Sequence, residues 1–262
     1  MTFVQIQGRR IEYELACGDA NAPVIVFLHE GLGSLAMWKD FPGRIAAATG
    51  CGTLVYSRYG HGASERLAAL RRPDFMHEEA LKALPELLDK LAIERPLLLG
   101  HSDGGSIALI HAAAAGRPVV GLIVEAPHVM VEEISIDSIR EAKKIFESTD
   151  LRGRLARYHA DAEATFRGWN DIWLDPGFRD WSIEGYLPRI ACPVLAIQGE
   201  DDEYGTMRQI ERIAESATDV QLLKLGGCGH APHRDRPDAV VEAAAGFIRK
   251  CRGGTRAVPA KK

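Results

Sequence analysis

The stretch LLLGHSDGGSIAL, residues 97–109, decides the fold, because it places a G-x-S-x-G pentapeptide between two apolar segments. The first residues predict a buried strand, and the residues after the pentapeptide predict a helix. A serine at such a turn is held in strained backbone geometry that flanking glycines make possible, and its hydroxyl projects from the strand end. Ser102 is therefore the candidate nucleophile. A serine that only caps a helix would give the same short pattern, so the motif needs partners elsewhere.

Further apolar runs on both sides of this turn predict the other strands of one sheet. Helical patterns separate most of them, for example over residues 77–91 and 102–116. The predicted strands are 3–7, 11–16, 23–29, 53–58, 96–100, 119–126, 193–199 and 220–225. This alternation predicts an α/β fold with a mostly parallel central sheet, an antiparallel edge and helices on both faces.

One long segment interrupts the alternation with charged amphipathic sequence in which no strand is convincing. It contains Trp169, Trp173 and Trp181, three of the four tryptophans. We expect the chain to divide into a first core part (1–127), a helical cap (128–192), a second core part (193–251) and a disordered tail (252–262).

Composition excludes several classes of function. The chain has 262 residues, a formal net charge of −4 and no basic cluster before the tail, so no nucleic-acid partner is expected. No apolar run approaches the roughly 20 residues that cross a bilayer, and residues 1–18 lack the apolar centre of a secretory signal. Five scattered cysteines without a C-x-x-C pair indicate reduced thiols. We expect a soluble cytoplasmic protein with no membrane partner, no metal and no cofactor.

A serine hydroxyl becomes nucleophilic only when a neighbouring base takes its proton. Of the nine histidines, His230 lies in the glycine-rich segment GGCGHAPHRDRP (226–237), directly after the last predicted strand. Loops at strand ends commonly position functional side chains, which makes His230 the candidate base. His233 is the alternative, expected on the entry to the last helix and more exposed.

The base requires an acid that fixes its tautomer. The segment GEDDEYGT (199–206) follows a predicted strand and stands between the serine and the histidine in chain order. Spacing alone does not choose among its four acidic residues, and Glu125, at the end of the strand after the nucleophile helix, is held in reserve. The four candidates are Glu200, Asp201, Asp202 and Glu203.

The order of these motifs resembles the α/β-hydrolase fold superfamily, in its serine-nucleophile, carboxylesterase-like branch. The resemblance runs from about residue 23 to residue 247 and includes FLHEGLGS (27–34) and SRYGHGAS (57–64). It implies that Asp202, third after the glycine that ends its strand, is the acid, and again that His230 is the base. It also implies that the backbone N–H groups of Gly31 and Asp103 form the oxyanion hole.

The sequence departs from the family pattern at two positions. Glu30 stands where the family more often has glycine, and we expect its side chain to face away from the site. Ser57 replaces a frequent aspartate, and we expect it to support the site structurally, with Arg58 or Tyr59 available to contact substrate. Because the nucleophile of dehalogenases and epoxide hydrolases in this superfamily is aspartate, Ser102 argues against both activities.

The resulting hypothesis is hydrolysis of a small carboxylic ester, thioester or lactone through an acyl-enzyme on Ser102. The alternatives are a carbon–carbon bond hydrolase of the kind used in aromatic degradation, and a hydrolase-like protein that binds a small ligand with little turnover. Aromatic residues of the cap are expected to contribute to the substrate pocket, although such residues at helical spacing are more often core. The candidates are Trp169, Trp173, Tyr158 and Phe166.

Overall fold

The computed structural model describes residues 1–253 and contains one eight-stranded sheet in the order β1-β2-β4-β3-β5-β6-β7-β8. The strands are β1 (Thr2–Ile6), β2 (Arg9–Ala16), β3 (Val24–Leu28), β4 (Gly52–Tyr56), β5 (Leu97–His101), β6 (Gly121–Glu125), β7 (Val194–Gly199) and β8 (Val220–Leu225). Strand β2 pairs antiparallel with both β1 and β4, and all other pairs are parallel. The predicted mostly parallel α/β sheet with an antiparallel edge is confirmed.

Helices connect the parallel strands. They are α1 (Phe41–Thr49), α2 (Phe75–Glu78), α3 (Leu84–Lys90), α4 (Asp103–Ala114), α5 (Glu133–Ser148), α6 (Leu151–Leu155), α7 (Ala162–Trp173), α8 (Arg208–Ser216), α9 (Pro232–Asp235) and α10 (Pro237–Gly253). A π-helical turn, Glu79–Ala83, joins α2 to α3, and three 3₁₀ turns lie at Leu35–Trp38, Pro176–Phe178 and Glu184–Arg189.

The five strands β3 to β7 are buried on both faces of the sheet, which explains why they are continuous apolar runs. In β3, Ile25 and Phe27 point into one apolar cluster, and Val26 and Leu28 point into the other. Side chains of α1 and α10 complete the first cluster, while those of α3, α4 and α8 complete the second.

Residues 128–192 form α5, α6, α7 and two of the 3₁₀ turns. An isolated bridge between Met130 and Ser182 is the one β interaction assigned to this segment among the described residues. Its aromatic side chains join the cluster on the α4 face of the sheet, where the rings of Phe178 and Trp181 stack at 5.2 Å. The helical character expected of this segment is therefore present.

The C-terminal helix is longer than the sequence indicated. The disordered tail was expected to begin at residue 252, but α10 continues to Gly253, and Arg252 donates a hydrogen bond to the carbonyl oxygen of Thr49 at 2.9 Å. The rest of the expected tail, residues 254–262, lies outside the described residues. Among residues 1–253, no helix combines the length and the apolar character that a bilayer span requires.

Helix α4 packs so closely on the sheet that Gly104 has no room for a side chain. A Cβ at this position would lie 2.0 Å from the carbonyl oxygen of Leu28, and backbone atoms cannot move aside as a flexible side chain can. Gly43, in the exposed part of α1, offers the opposite environment, since an added Cβ would meet no neighbour within 4 Å.

We predict that Gly104→Ala lowers the free energy of unfolding by about 1–3 kcal/mol or more, because it overpacks the contact with β3. Gly43→Ala is the matched control in another helix and should raise the free energy of unfolding by about 0.5–1 kcal/mol. Thermal unfolding of both variants measures the contrast. Equal melting temperatures for the two proteins would contradict the close approach of α4 to β3.

Candidate active site

Ser102 occupies the turn between the central strand β5 and helix α4. Its backbone angles are φ 52° and ψ −120°, a region that residues with a side chain rarely adopt. The turn is possible because Gly100 and Gly104 approach each other closely: a Cβ on Gly100 would lie 2.3 Å from the carbonyl oxygen of Gly104. This geometry places the serine at the carboxyl end of β5 and at the N-terminus of α4.

The structure brings Ser102, His230 and Asp202 together in one hydrogen-bonded line. The Oγ of Ser102 lies 2.9 Å from Nε2 of His230, and Nδ1 of His230 lies 2.8 and 3.0 Å from the two carboxylate oxygens of Asp202. A carboxylate only accepts, so Nδ1 carries the proton and Nε2 is free to accept the serine hydroxyl proton. This is the arrangement that converts a serine into a nucleophile.

Asp202 is held as a charged carboxylate by several donors. One oxygen accepts from the side-chain amide of Gln198 at 2.7 Å, and the other accepts from the N–H groups of Tyr204 and Gly205. Burial acts to raise the pKa of Asp202, but its bonds to His230 and Tyr204 outweigh burial, and the net pKa is lowered. The acid therefore remains ionised opposite the imidazole.

The other acidic residues of this loop do not contact the His230 ring. Glu200 and Asp201 are exposed, and Glu203 accepts only the backbone N–H of His230, at 3.2 Å. The structure thus distinguishes Asp202 among candidates that the sequence left equivalent.

His233 is not the exposed residue that the sequence indicated. It lies on α9 but is buried, with its ring 4.8 Å from that of Trp38 and 5.3 Å from that of Phe41. Its Nδ1 lies 2.9 Å from the carboxylate of Glu125, which also accepts the backbone N–H of His233 at 3.0 Å. Glu125 therefore pairs with His233 and fixes the loop after His230. The expectation of exposure is wrong because an apolar cage and a buried partner surround the ring.

Gly31 and Asp103 both lie next to Ser102 in the structure. Gly31 lines the cavity that contains the serine, and Asp103 is the first residue of α4. No protein acceptor is found for the backbone N–H of either residue among residues 1–253. The Asp103 side chain is buried beside the site, where it accepts the indole N–H of Trp173 at 3.3 Å. Both N–H groups are thus available for another acceptor.

Ser102 and His230 open into a cavity of about 360 Å³. Residues of the 128–192 segment line one side of it, together with loops that follow the sheet strands. The lining residues include Gly31, Leu32, Met37, His128, Ile139, Leu155, Trp169, Trp173, Tyr204 and Arg234.

The structure brings two of the four expected aromatic residues to this cavity. Trp169 and Trp173 line it, and a Cβ on Gly31 would lie 2.1 Å from Cδ1 of Trp169. Tyr158 is instead 37% exposed outside the cavity, and Phe166 stacks on Phe146 in the core. The expectation for Tyr158 is wrong because it follows the short helix α6, at the solvent side of the segment.

Sequence reasoning missed two polar groups in this cavity. His128 is buried, its Nδ1 has no partner within the described chain, and burial lowers its pKa to about 3, so its ring is neutral. Tyr204 lies against His230 with a ring distance of 4.8 Å, and burial raises its pKa to about 12. Sequence position could have identified both residues, because His128 comes three residues after β6 and Tyr204 comes two residues after Asp202.

Glu30 differs from the expectation that it faces away, because its side chain lines the cavity. It lies there between two basic side chains, with its carboxylate 3.5 Å from Nδ1 of His101 and 3.2 Å from the guanidinium of Arg234. Tyr59 does not line this cavity, and Arg58 is buried behind it.

Ser57 has structural contacts, in agreement with the expectation from the sequence. Its hydroxyl donates to Glu12 at 2.5 Å and accepts the backbone N–H of Leu35 at 2.8 Å.

A second cavity, of about 400 Å³, lies away from the serine between the loop 67–72 and α2. It contains both acidic and basic side chains and none of the residues discussed above except Tyr59. Among residues 1–253, no group of three or more His, Cys, Asp or Glu side chains is arranged to hold a metal ion.

Comparison with known proteins supports the architecture. Residues 25–243 match the family model described as Alpha/beta hydrolase family. The chain is 32% identical over 265 residues to the sn-1-specific diacylglycerol lipase ABHD11 of Mus musculus, covering 91% of this chain and 85% of that protein. It is 24% identical over 259 residues to a 2-hydroxy-6-oxononadienedioate/2-hydroxy-6-oxononatrienedioate hydrolase of Cupriavidus pinatubonensis, covering 87% and 88%.

The fold is similarly shared with solved structures. MGS-M2, an alpha/beta hydrolase enzyme from a Medee basin deep-sea metagenome library, matches with a TM-score of 0.77 and 20% identity over 100% of both chains. With a family model that spans most of the chain and with relatives that are named hydrolases, this protein belongs to the α/β hydrolase family.

Proposed function

We propose that this chain is a serine hydrolase that cleaves a small carboxylic ester, thioester or lactone through an acyl-enzyme. In this proposal Ser102 is the nucleophile, His230 the general base and Asp202 the acid that orients the base. The observation that carries it is the continuous hydrogen-bonded line from the serine hydroxyl through the imidazole to the carboxylate.

The chemistry follows from these contacts. As Oγ of Ser102 attacks the carbonyl carbon, its proton passes to Nε2 of His230, and the imidazolium is stabilised by Asp202. The tetrahedral intermediate collapses when the C–O bond to the alcohol breaks and His230 returns the proton to that oxygen. Water then attacks the acyl carbon and gives a proton to His230. The second tetrahedral intermediate collapses when the bond from the acyl carbon to Oγ of Ser102 breaks, and His230 returns its proton to Oγ, which releases the carboxylic acid and restores the Ser102 hydroxyl.

The oxyanion formed in both steps needs donors that are already in place. The backbone N–H groups of Gly31 and Asp103 are proposed for this role, since neither has an acceptor within the described chain. The N-terminus of α4 adds a favourable dipole at the same place. Loss of one such donor typically costs about 10²- to 10³-fold in rate.

We also propose that residues 128–192 act as a cap that selects the substrate. Ile139, Leu155, Trp169 and Trp173 come from this segment and line the cavity with Ser102. A volume of about 360 Å³ is suited to a small acyl or alkyl group rather than to a polymer. The relative from Mus musculus is named as an sn-1-specific diacylglycerol lipase, which favours esters as the substrate class.

Carbon–carbon bond hydrolysis is the second candidate, because the relative from Cupriavidus pinatubonensis is named for a dienedioate substrate. The cavity is poorly suited to such a dianion. Glu30, Glu203 and Asp235 line it, and the guanidinium of Arg234 is already paired with Glu30. A binding protein with little turnover is disfavoured by the hydrogen bond between Ser102 and His230.

We predict that Ser102→Ala removes nearly all hydrolysis of p-nitrophenyl acetate and butyrate, with a loss of about 10⁴- to 10⁶-fold in kcat. The variant should unfold at the same temperature as the wild type. An organophosphonate should label Ser102 in the wild type with one equivalent and abolish turnover. Retained turnover in a folded Ser102→Ala protein would refute the nucleophile.

We predict that Asp202→Asn lowers kcat on the order of 10⁴-fold, as the corresponding change does in trypsin, because the amide no longer fixes the productive tautomer of His230. Asp201→Asn is the matched control, since that neighbouring side chain is exposed, and its activity should stay within about two-fold of wild type. Similar small effects of both substitutions would show that Asp202 is not the acid.

We predict different results for the two cavity tryptophans. Trp169→Ala should change the ratio of kcat/KM between butyrate and acetate esters by about ten-fold, because apolar contact with the longer acyl chain is lost. Trp173 is 1% exposed, and its indole N–H donates a hydrogen bond to Asp103. Trp173→Ala should therefore mainly destabilise the protein, by about 3–5 kcal/mol. An unchanged acyl preference in Trp169→Ala would contradict the proposed selective role of the cap.

A further inference from the structure

Within the described chain, the Glu30 carboxylate contacts side chains from two other segments at this site. It follows β3, and its carboxylate is paired at 3.5 Å with His101, at the end of β5, and at 3.2 Å with Arg234, on α9. The same short segments contain Gly31, Ser102 and His230. A single side chain therefore spans the three loops to which the proposed oxyanion donor, nucleophile and base belong.

Packing leaves this carboxylate little freedom. A Cβ on Gly33 would lie 2.3 Å from Oε2 of Glu30, so the space beside the carboxylate is available only because residue 33 is glycine. The Glu30 side chain is 17% exposed. Its position thus depends on the packing of its own loop as well as on His101 and Arg234.

His101 connects Glu30 to the main chain of His230. Its Nε2 lies 2.7 Å from the backbone carbonyl oxygen of His230, and because a carbonyl only accepts, this nitrogen must carry a proton. The opposite ring nitrogen faces the Glu30 carboxylate. The main chain of His230 is therefore linked to Glu30 through one imidazole ring.

The surroundings of His101 favour its doubly protonated form. Glu30 faces Nδ1, Glu125 lies near enough to interact, and the rings of His230 and His233 lie 5.2 and 5.0 Å away. Burial acts to lower the pKa of His101, but Glu30, then Glu125, then the His230 carbonyl together raise it above its usual value. An imidazolium can donate to the carbonyl and face the carboxylate at once.

The backbone of Glu30 is held as firmly as its side chain. Its carbonyl oxygen accepts hydrogen bonds from His29 at 2.7 Å, Arg58 at 2.9 Å and the N–H of Gly33 at 3.1 Å. This carbonyl belongs to the same peptide group as the N–H of Gly31. The carbonyl contacts therefore orient the peptide that carries the proposed oxyanion donor.

We propose that Glu30 is a positioning residue of this hydrolase, holding the main chain of His230 through His101 in line with Ser102 and Gly31. The inference rests on the proposed function, because it assigns a role within that site. The Glu30 carboxylate beside the proposed oxyanion hole faces two basic side chains, His101 and Arg234, which reduces its opposition to negative charge on the substrate.

Glu30→Gln keeps the size of the side chain and removes the charge that faces His101. We expect kcat for p-nitrophenyl butyrate to fall about 10- to 100-fold, the effect of a small misplacement of a base, while KM changes less than about three-fold. Glu30→Asp retains the charge and should recover part of the loss. Glu200→Gln, at an exposed carboxylate of the acid loop, is the matched control and should remain within about two-fold.

A double-mutant cycle separates this role from a general loss of stability. If Glu30 acts through His101, then Glu30→Gln combined with His101→Gln should lose no more activity than the worse single variant. Multiplying losses would overturn the inference, and so would a Glu30→Gln variant with wild-type kcat. Melting temperatures identify any variant that fails to fold. If Glu30→Gln fails to fold, the double-mutant cycle is made with Glu30→Asp and His101→Gln instead.

Two readouts do not depend on ester turnover. The rate of organophosphonate labelling of Ser102 should fall in Glu30→Gln by about the same factor as kcat. The downfield proton resonance of Nδ1–H in His230, bonded to Asp202, should shift in Glu30→Gln and stay unchanged in Glu200→Gln. A wild type that is labelled but hydrolyses no ester would refute the proposed substrate class, while an unchanged resonance and labelling rate would refute the role of Glu30.

Discussion

The close approach of β5 to α4 at Ser102 is the constraint on which the rest of the site depends. The turn exists because Gly100 and Gly104 carry no Cβ, and it exposes a hydroxyl at the centre of the sheet edge. In a parallel sheet the loops after successive strands meet at that same edge. The loops after β3, β6, β7 and β8 therefore surround the serine with Gly31, His128, Asp202 and His230.

Two buried carboxylates at this edge each pair with one histidine. Asp202 pairs with His230, which remains in contact with Ser102, while Glu125 pairs with His233, which is packed against Trp38. An unpaired buried charge is costly, so each carboxylate needs its own donors, and the two pairs are not interchangeable. The arrangement explains why His230, and not His233, is in contact with Ser102.

The sequence predicted those features of the fold and the site that depend on chain order and on the positions of the strand ends. The sheet, the turn at Ser102 and the loop positions of His230 and Asp202 all follow from apolar runs and the residues directly after them. It did not predict the burial of His233 or the contacts of Glu30, because those depend on partners 108 and 71 positions away in the chain, respectively. Side-chain packing between distant segments has no local pattern. Tyr158 shows the same limit, since a helical aromatic residue can face the cavity or the solvent with the same periodicity.

The cavity combines apolar side chains with one polar atom that has no partner within the described chain. Trp169 and Trp173 line one side of it, whereas Nδ1 of His128 is buried without an acceptor or donor from residues 1–253. A buried polar group without a hydrogen bond costs free energy that a bound molecule recovers when it supplies the missing partner. A neutral imidazole can meet a substrate oxygen or hydroxyl without adding charge near the oxyanion. In the proposed function, Nδ1 of His128 would therefore contact one polar atom of the substrate, a contact separate from the chemistry at Ser102.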